Sequence, residues 1–430
     1  MCRGIVSGNL GHSPGQRFTN AASQKDPVPI PGDERLTTMK LLFLTTDDST
    51  FWSHRLTLAR TAKKQGADVV IMTRSEEHRS RLEAEGFRVI PWSISRKSLN
   101  PIQELRSFFQ VLKYYRKEQP DVVHHIALKP IVHGSLAARL CGSIPSVNTV
   151  TGLGPVFTRT NLTIRVLRSV LLKVLRSCFR ASKSRVIFQN ENDRDLFLEE
   201  RITAREKTTI IPGFGVNTNQ FRPRPEPGGE FVVMLPARML WEKGVHEFVQ
   251  AARLLREQGT MARMVLVGAP DKHNPGCIPE QRLKEWTETE NVEWWGQCTD
   301  MPDVLCRCHL VCLPSYREGL PKVLLEAGAC GRAIVTTNAP GCSYVVRHGE
   351  NGLLVPIKDS RALAEAIHSL LLDRVRRVQM GAAGRDRAVR EFSEDRIARQ
   401  MLDVYSELLN GKWQLDRDLA DDDLEVVSSV

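Results

Sequence analysis

The sequence has no long apolar run, few aromatic residues and no repeated pair of closely spaced cysteines. A helix that crosses a bilayer needs about 20 apolar residues, and no run of that length occurs, so we expect no membrane-spanning helix. Aromatic residues make up 6% of the chain, which is low for a protein that stacks nucleic-acid bases. The 10 cysteines follow no repeating CxxC pattern and no secretory signal precedes them, which predicts reduced thiols in a cytoplasmic protein.

The length of the chain indicates the number of domains, and its charge indicates the kind of partner. The chain has 430 residues, which favours two domains. Lysine and arginine number 60 against 50 aspartate and glutamate, a formal charge of +10. An excess of positive charge favours an anionic partner, such as a phosphate group, a lipid surface or nucleic acid.

Apolar strand patterns alternate with helix patterns from Met39 onward, which predicts parallel βαβ units. The pattern breaks at "FRPRPEPGGE", where three prolines and two glycines predict a linker, and then restarts. The fold class is therefore α/β, with two Rossmann-like, doubly wound domains that face a central cleft. The predicted segments are a disordered extension (1–38), an N-terminal acceptor-binding domain (39–220), a linker (221–230), a C-terminal nucleotide-sugar-binding domain (231–395), a C-terminal helix (396–412) and an acidic mobile tail (413–430).

Two glutamates flank the start of one predicted helix in "SYREGLPKVLLEAG". Pro321 suits the first helical position, and Gly319 lets the backbone approach a ligand closely. The N–H groups of a helix start favour an anion. Glu318 precedes the helix and Glu326 lies within its apolar stretch, where a carboxylate needs a partner such as a sugar or ribose hydroxyl. The alternative is that Glu318 caps the helix while Glu326 faces solvent.

A pair of basic residues follows a predicted strand in "PARMLWEKGVHEF". Arg238 and Lys243 are five positions apart on a loop at the ligand-binding edge of the second domain. Two fixed cations there suit a diphosphate and stabilise its charge as a leaving group. As isolated residues they are equally compatible with ordinary surface charges.

The order and spacing of these motifs resemble the retaining glycosyltransferases of family four, which have the GT-B fold. The resemblance covers residues 230–392 and includes "VLVG", "PSYREGLPKVLLEAGACG" and "NAPGCSYVVRHGENGLLVP". The N-terminal half is similar to a bacterial subgroup that builds polysaccharide on polyprenyl-diphosphate lipids. The stretches that carry this second resemblance are "SHRLTLARTAKKQGADV", "KPIVHGSLAARLCG", "TVTGLGPVF" and "VIFQNENDRDLF".

The resemblance implies retaining transfer of a hexose or N-acetylhexosamine from a UDP-sugar to a hydroxyl of a polyprenyl-diphosphate-linked glycan. Such an enzyme acts in cell-surface polysaccharide synthesis, in the cytoplasm or at the cytoplasmic face of the inner membrane. Arg238 and Lys243 then bind the donor diphosphate, Glu318 contacts the transferred sugar, and Glu326 binds the ribose. Backbone groups around Gly319, Leu320 and Lys322 lie near the phosphates and the sugar in this family. No metal or other cofactor is expected, since cationic side chains hold the diphosphate.

The chain departs from the family pattern at the acceptor side. Many relatives have a glycine-glycine loop after the first strand, whereas this chain has "TTDDSTFWSHR", in which Asp47, Ser53 and His54 are candidates for shaping the loop. Relatives also carry a histidine after a strand near the reacting sugar. The segment "DVVHHIALKP" offers two histidines on opposite faces of a strand, and a lysine shortly after them. We assign His125 to the catalytic site and His54, His124 and Lys129 to the acceptor side, with a packed position as the alternative for His124 and His125.

Three segments invite a metal-binding interpretation: "TDD" (46–48), "CRCHLVC" (306–312) and "ADDD" (420–423). The last lies in a polar tail and the first follows a strand. Cys308 and Cys312 flank or enter an apolar strand, which favours buried thiols over zinc ligands. We therefore predict no metal site.

Residues 161–185 have a helical apolar period with arginine and lysine on the remaining positions. A cationic amphipathic helix is typical of a segment that lies on an anionic membrane. The alternative is a helix that packs on its own domain and exposes its basic residues.

Two other functions remain as alternatives at this point. The first is a sugar-nucleotide epimerase, which is also built from two such domains. The second is a nucleic-acid binder, suggested by the charge of +10, although no zinc-finger or RNA-binding motif accompanies it.

Overall fold

The computed structural model describes residues 38–95, 100–152, 162–181, 183–272 and 274–416. For residues 162–167 it describes the backbone only. Residues 1–37 of the predicted extension and residues 417–430 of the predicted tail therefore lie outside the described residues. Those that are described belong to one compact unit that begins at Thr38.

The first half of the chain forms a parallel sheet of seven strands in the order β3-β2-β1-β4-β5-β6-β7. The central strands are short and mostly buried on both faces, as expected for a parallel sheet that is covered by helices, whereas the edge strand at residues 208–210 is only partly buried. The strands are β1 (Lys40–Leu44), β2 (Asp68–Thr73), β3 (Arg88–Pro91), β4 (Val122–Ile126), β5 (Ser146–Val150), β6 (Ser184–Phe188) and β7 (Thr208–Ile210).

The second half forms a parallel sheet of six strands in the order β10-β9-β8-β11-β12-β13. Its central strands β8 and β11 are neighbours, so the loops that follow them lie side by side. The strands are β8 (Phe231–Pro236), β9 (Ala262–Val267), β10 (Val292–Trp294), β11 (Leu310–Leu313), β12 (Ala333–Thr337) and β13 (Gly352–Val355).

Helices cover both faces of each sheet, and this arrangement confirms the predicted fold of two doubly wound domains. The helices of the first half are α1 (Asp48–Lys64), α2 (Arg79–Ala84), α3 (Pro101–Glu118), α4 (Leu128–Leu140), α5 (Leu162–Phe179) and α6 (Glu191–Glu199). Those of the second half are α7 (Val245–Glu257), α8 (Glu280–Thr289), α9 (Met301–Cys306), α10 (Lys322–Ala329), α11 (Cys342–Val345), α12 (Ser360–Leu372), α13 (Arg374–Phe392) and α14 (Glu394–Leu408).

The last helix returns to the first domain. Ile397, Met401 and Tyr405 of α14 are buried in the same apolar cluster as Phe43 of β1 and Phe51 of α1. The predicted C-terminal helix thus begins two residues earlier than expected and packs on the domain from which it is most distant in sequence. Helix α14, which follows the second domain in sequence, is thereby anchored to the first sheet.

Helix α1 begins at Asp48, inside the segment "TTDDSTFWSHR" that the sequence predicts as a loop. Asp47 is its N-cap, and the side chain accepts a hydrogen bond of 2.8 Å from the N–H of Thr50. The neighbouring carboxylate of Asp48 accepts the backbone N–H groups of residues 76, 77 and 78 through Oδ2, at 2.8–3.2 Å. Both acidic residues of the "TDD" segment therefore have structural partners.

Helix α5 packs on its own domain. In the part whose side chains are described, Leu175 and Phe179 are buried in a cluster with Ile131 and Val150. Arg168 forms an ion pair with Glu200. The described part of the helix therefore favours the alternative of a helix packed on its own domain, and contact of residues 161–185 with a membrane stays a prediction. None of the described helices is both long enough and apolar enough to cross a bilayer.

Candidate active site

A cavity of about 580 Å³ lies where the carboxyl ends of the two sheets face each other. Its C-terminal wall contains Arg238, Lys243 and the segment from Glu318 to Val323. Its N-terminal wall is built from residues that follow β1, β4, β5 and β6, together with the first turns of α1. These residues are Thr45, Thr46, Thr50, His54, Arg55, Ile126, Ala127, Thr151 and Gln189.

Glu318 and Lys243 are in direct contact at this cavity. The ammonium of Lys243 donates to Oε1 of Glu318, and the Ser315 hydroxyl donates to the same oxygen at 2.7 Å. Lys243 belongs to the loop after β8, and Glu318 to the loop after β11. The adjacency of these two strands in the sheet therefore brings the two charges together, although they are 75 residues apart in sequence.

Arg238 lines the same wall but is more accessible than Lys243. Its side chain is 56% exposed, and Nη1 contacts Oδ2 of Asp271 at 2.8 Å. An exposed guanidinium retains N–H groups that can bind a phosphate bidentately. The structure thus brings both predicted cations to the cavity, one close to Glu318 and one at the rim.

The chain from Gly319 to Lys322 lines the cavity on the side of the C-terminal domain and leads into α10. Pro321 is the N-cap of α10, one position before the predicted site at the first helical residue. The first N–H groups of a helix have no intrahelical acceptor and favour an anion. Gly319 and Leu320 precede this helix start, and Lys322 begins the helix, so all three predicted positions line the cavity.

Gly319 is required by the opposite domain. A Cβ atom there would lie 2.7 Å from Oε1 of Gln189 and 2.9 Å from the carbonyl oxygen of Thr151. Both are closer than side-chain carbons approach other atoms. From the sequence, we explained this glycine by the close approach of a ligand to the backbone. In the structure, its close contacts are with the N-terminal domain.

Glu326 is placed differently from Glu318. It lies within α10, is buried, and does not line the cavity. Burial raises the pKa of its carboxyl group, and Lys322 lies 3.6 Å away as its ion-pair partner. The predicted contact with a ribose stays a prediction.

The two histidines of β4 point to opposite faces of the sheet, as the alternation predicts, and both are fully buried. The ring nitrogens of His125 contact Tyr115 Oη at 3.0 Å and Asn148 Oδ1 at 2.7 Å. Gly134 of α4 makes room for this ring, since a Cβ atom there would lie 2.3 Å from it. Burial lowers the pKa of His125 to about 4, so the ring is neutral. The catalytic assignment of His125 is corrected: the ring is enclosed beneath α4 and its nitrogens are occupied.

His124 is also enclosed. Its Nδ1 lies 2.6 Å from Tyr405 Oη of α14, and its Nε2 lies 2.7 Å from Thr149 Oγ1. Burial lowers the pKa of His124 well below its ordinary value. The predicted acceptor-side role of His124 is therefore wrong, and its ring instead joins the last helix to the first sheet.

Lys129 is likewise directed away from the cavity. Its ammonium contacts the carbonyl oxygen of Ser95 and Oε1 of Glu104, each at 2.7 Å. Glu104 belongs to α3, so Lys129 connects α3 to α4. This geometry corrects the assignment of Lys129 to the acceptor side.

His54 is the predicted acceptor-side residue that does line the cavity. Its ring centroid lies 4.0 Å from that of Phe214, and Nδ1 is 3.1 Å from the carbonyl oxygen of Thr50. Burial, followed by the charges of Lys322 and Arg55, lowers the pKa of His54 to about 4. The imidazole is therefore neutral near pH 7 and presents an uncharged face to the cavity.

Sequence reasoning missed the contacts that join the Glu318 loop to the N-terminal domain. Asn190 Nδ2 donates to the carbonyl oxygen of Gly319 at 2.8 Å. Arg317 Nη2 contacts Oδ1 of Asp193 at 2.7 Å. These two contacts hold Arg317 and Gly319, the neighbours of Glu318 in sequence, against the N-terminal domain. The N-cap pattern Asn190-x-x-Asp193 was visible in the sequence, but nothing local indicated its partner.

No three described His, Cys, Asp or Glu side chains are arranged to hold a metal ion. Cys308 and Cys312 are fully buried, as predicted. Burial raises the pKa of the Cys308 thiol to about 12, which keeps it protonated. Residues 308–312 of the "CRCHLVC" segment are thus buried in the second domain.

Two parallel-sheet domains with cationic residues at a shared cavity are compatible with a glycosyltransferase of the GT-B fold, and comparisons with known proteins identify this class. Residues 216–387 match the family model "Glycosyl transferases group 1" and residues 40–190 match "Glycosyl transferase 4-like". The chain belongs to the glycosyltransferases of the family-four type.

Characterised relatives share most of the chain. One is an N,N'-diacetylbacillosaminyl-diphospho-undecaprenol alpha-1,3-N-acetylgalactosaminyltransferase of Campylobacter jejuni. It is 28% identical over 384 residues, which cover 86% of this chain and 99% of the relative. A UDP-Gal:alpha-D-GlcNAc-diphosphoundecaprenol alpha-1,3-galactosyltransferase of Escherichia coli is 24% identical over 327 residues, covering 74% of this chain and 83% of the relative. These relatives are glycosyltransferases that act on lipid-linked sugars.

Solved structures support the fold. The Anabaena protein Alr3699/HepE, in complex with UDP and glucose, superposes with a TM-score of 0.70 at 21% identity and covers 86% of this chain and 99% of its own. Sucrose-phosphate synthase of Thermosynechococcus elongatus gives a TM-score of 0.71 at 22% identity, with coverage of 86% and 99%. At this level of identity the likeness concerns the architecture.

Proposed function

We propose that this glycosyltransferase moves a hexose or N-acetylhexosamine from a UDP-sugar to a hydroxyl of a polyprenyl-diphosphate-linked glycan, with retention of the anomeric configuration. The observation that carries the proposal is the wall formed by Arg238, Lys243, Glu318 and the start of α10 at one cavity. Cations and helix N–H groups suit a diphosphate, and a carboxylate suits the hydroxyls of a sugar.

The assignment of roles follows from these positions. Lys243 and Arg238 hold the donor diphosphate and stabilise the charge that develops on it as the glycosidic bond breaks. Glu318, fixed by Ser315 and Lys243, accepts hydrogen bonds from the transferred sugar. Glu326 and Lys322 are assigned to the nucleotide end, with Lys322 at the cavity surface.

The proton of the acceptor hydroxyl needs a destination. In the proposed mechanism the acceptor attacks from the face that the diphosphate leaves, and a departing phosphate oxygen takes the proton. A protein base is then unnecessary, and no charged histidine is required. This agrees with the enclosed positions of His124 and His125 and with the neutral ring of His54.

The nature of the acceptor rests on the relatives. Both relatives described above bear names that specify a sugar on diphospho-undecaprenol, and the Escherichia coli enzyme uses UDP-Gal. The UDP complex of the Anabaena protein supports a uridine nucleotide as the donor carrier. We extend these properties to this chain, with action at the cytoplasmic face of the inner membrane.

The proposal includes independence from a metal ion, since Arg238 and Lys243 supply positive charge at the diphosphate position. Calorimetric titration with UDP in the presence of EDTA tests both the binding of a uridine nucleotide and its independence from a metal ion. Wild-type protein should bind UDP, Lys243→Ala and Glu326→Ala should each bind it more weakly, and Lys284→Ala should bind it as wild type does. Lys284 is a suitable control because it lies on the exposed face of α8, paired with Glu280.

Absence of UDP binding by the wild type under all conditions would contradict the UDP-sugar assignment, and binding restored only by Mg²⁺ would contradict metal independence. Product analysis then tests the reaction. UDP-sugars are incubated with a polyprenyl-diphosphate-linked acceptor, and nuclear magnetic resonance of the product reports whether the anomeric configuration is retained.

A further inference from the structure

Helix α3 exposes an apolar surface that no described part of the chain covers. Ile102 is 70% exposed, Leu105 56% and Phe109 55%. Their spacing of three, four and seven positions puts them on one face of the helix. The opposite face, with Val111, Leu112 and Tyr115, is buried against the first sheet, so α3 is firmly seated while three large apolar side chains point outward.

The charged residues on this outward face all have the same sign. Among the exposed residues of α3, four are basic and none is acidic. The helix has two acidic residues, and both have basic partners: Glu104 pairs with Lys129 and His133, and the buried Glu118 pairs with Lys40 and Arg88. The basic residues of the outward face are Arg106, Lys113, Arg116 and Lys117.

Apolar and basic side chains on one exposed helix face match the chemistry of an anionic lipid surface. The apolar side chains enter the boundary between headgroups and acyl chains, and the basic residues contact the lipid phosphates. A water-soluble partner protein would also fit apolar residues, but four cations without an exposed acidic residue favour a surface that carries negative charge throughout. In the other basic helix, α5, the apolar residues Leu172, Leu175 and Phe179 are buried in the domain.

The position of α3 relative to the cavity adds a second argument. Oε1 of Glu104 contacts Lys129 at 2.7 Å, and Oε2 contacts His133 at 2.8 Å, so the first turn of α3 is fixed to the first turns of α4. Helix α4 follows directly after Ala127, which lines the cavity. The exposed apolar residues nearest the start of α3 therefore lie on the helix end that is coupled to the acceptor side.

We propose that the outward face of α3, formed by Ile102, Leu105, Phe109 and the four basic residues, docks the enzyme on an anionic membrane beside the acceptor side of the cavity. This inference rests on the proposed function, because a membrane-embedded polyprenyl acceptor is what makes docking useful. Docking through α3 would hold at the lipid surface the helix that is coupled, through Glu104 and α4, to the cavity wall at Ala127.

Vesicle flotation with the full chain tests the apolar part. The protein is mixed with vesicles of phosphatidylcholine alone or with added phosphatidylglycerol, and the bound fraction is measured. Wild type should float with the anionic vesicles. The variant Ile102→Gln/Leu105→Gln/Phe109→Gln should lose at least about tenfold in binding, because the apolar side chains that enter the membrane are gone. Glutamine preserves the helix propensity of these exposed positions.

A matched control uses apolar residues that are equally exposed elsewhere. Met261, Leu372 and Val375 of the second domain are 73%, 69% and 69% exposed. Their triple replacement by glutamine should leave vesicle binding unchanged. Equal loss in both triple variants would show that binding depends on general hydrophobicity and would overturn the assignment to α3.

The basic residues predict a dependence on charge. Arg106→Glu/Lys113→Glu should abolish the preference for anionic vesicles, and added salt should weaken wild-type binding because it screens the lipid charge. Wild-type protein that binds neutral and anionic vesicles equally, or neither, would refute the proposal. Light scattering is measured in parallel: a wild-type dimer that the α3 triple variant converts to a monomer would assign this face to a second copy of the chain instead.

Binding of UDP in solution separates this inference from the proposed function. The α3 triple variant should retain wild-type affinity for UDP and wild-type transfer to a short, water-soluble acceptor analogue, and should lose activity only on acceptors embedded in anionic vesicles. A wild type that binds vesicles but not UDP would uphold the docking surface and contradict the donor assignment. A wild type that binds UDP but not vesicles would contradict the docking surface and leave the donor assignment intact.

Discussion

Lys243 and Glu318 face each other across two loops of the second domain, and the ammonium of Lys243 donates to Oε1 of Glu318. Ser315 holds the same oxygen at 2.7 Å. The contact keeps a cation suited to a diphosphate within one side-chain length of a carboxylate suited to a sugar hydroxyl. The two groups that the proposed mechanism assigns to the diphosphate and to the sugar are thus positioned by each other.

Replacement of Lys243 by alanine should lower kcat by about a hundredfold or more, because a fixed cation at a charge-developing leaving group contributes on that scale. The measurement is UDP release in the presence of acceptor. Lys284→Ala, which removes an exposed lysine of α8, should turn over normally. Near-normal turnover by Lys243→Ala would remove Lys243 from the mechanism.

Arg238→Ala should also lower kcat by on the order of a hundredfold. Arg238→Lys should recover only part of the loss, since an ammonium cannot bind a phosphate bidentately. Asp271→Asn, which weakens the contact that holds Arg238, should change the KM for the donor more than kcat. If Arg238→Ala keeps wild-type kcat, the residue acts only as a surface charge.

The fold could be predicted from the sequence because the strands are buried on both faces. Segments such as "FVVMLPAR" are continuous apolar runs, and the helices between them have apolar periods, so each element had one dominant interpretation. The placement of Lys243 and Glu318 at one edge of the sheet was also predictable, since both follow parallel strands, whereas their direct contact depends on the adjacency of β8 and β11 in the structure. Neither inference required knowledge of contacts between the domains.

Contacts between distant segments could not be predicted. Alternation put His124 and His125 on opposite faces of β4, but it did not reveal that Tyr405 and Tyr115 would occupy their ring nitrogens. The early start of α1 depends on Asp47, whose capping role competes with a loop interpretation of the same residues. The partner of Asp193 lies 124 residues away, where no local pattern points to it.

Gly319→Ala should reduce activity by about tenfold or more, because a Cβ atom collides with the N-terminal domain at Gln189 and Thr151 and displaces the loop that carries Glu318. Gly228→Ala provides the control, since nothing lies within 4 Å of the Cβ position there. Transfer assays on both variants give the comparison. Equal activities would show that the loop accommodates the methyl group without moving Glu318.

Acidification should destabilise the fold through His125. Burial lowers its pKa from 6.5 to about 4, so the unfolded chain takes up a proton at a higher pH than the folded chain does. Stability is therefore complete above about pH 6.5 and falls as the pH drops toward 4, by about 2 kcal/mol at pH 5 from this residue. Urea unfolding at pH 6.5 and at pH 5 measures the loss of free energy of unfolding. Nuclear magnetic resonance should show a neutral His125 ring at pH 5, and a protonated ring would contradict the prediction.

The contact between Arg317 and Asp193 should matter for catalysis through Glu318. Asp193 is buried and Arg317 is partly exposed, so Asp193→Asn leaves the guanidinium able to reach water while the loop loses its anchor in the N-terminal domain. We expect kcat to fall about tenfold, with a smaller change in UDP affinity, because the nucleotide end of the site does not depend on this contact. Arg60→Ala, which breaks an exposed ion pair with Glu85 at residues that do not line the cavity, should have no effect on turnover. A double-mutant cycle with Arg317→Gln settles the cause: if Asp193→Asn lowers kcat equally with and without Arg317, the loss comes from capping of α6 and not from the ion pair.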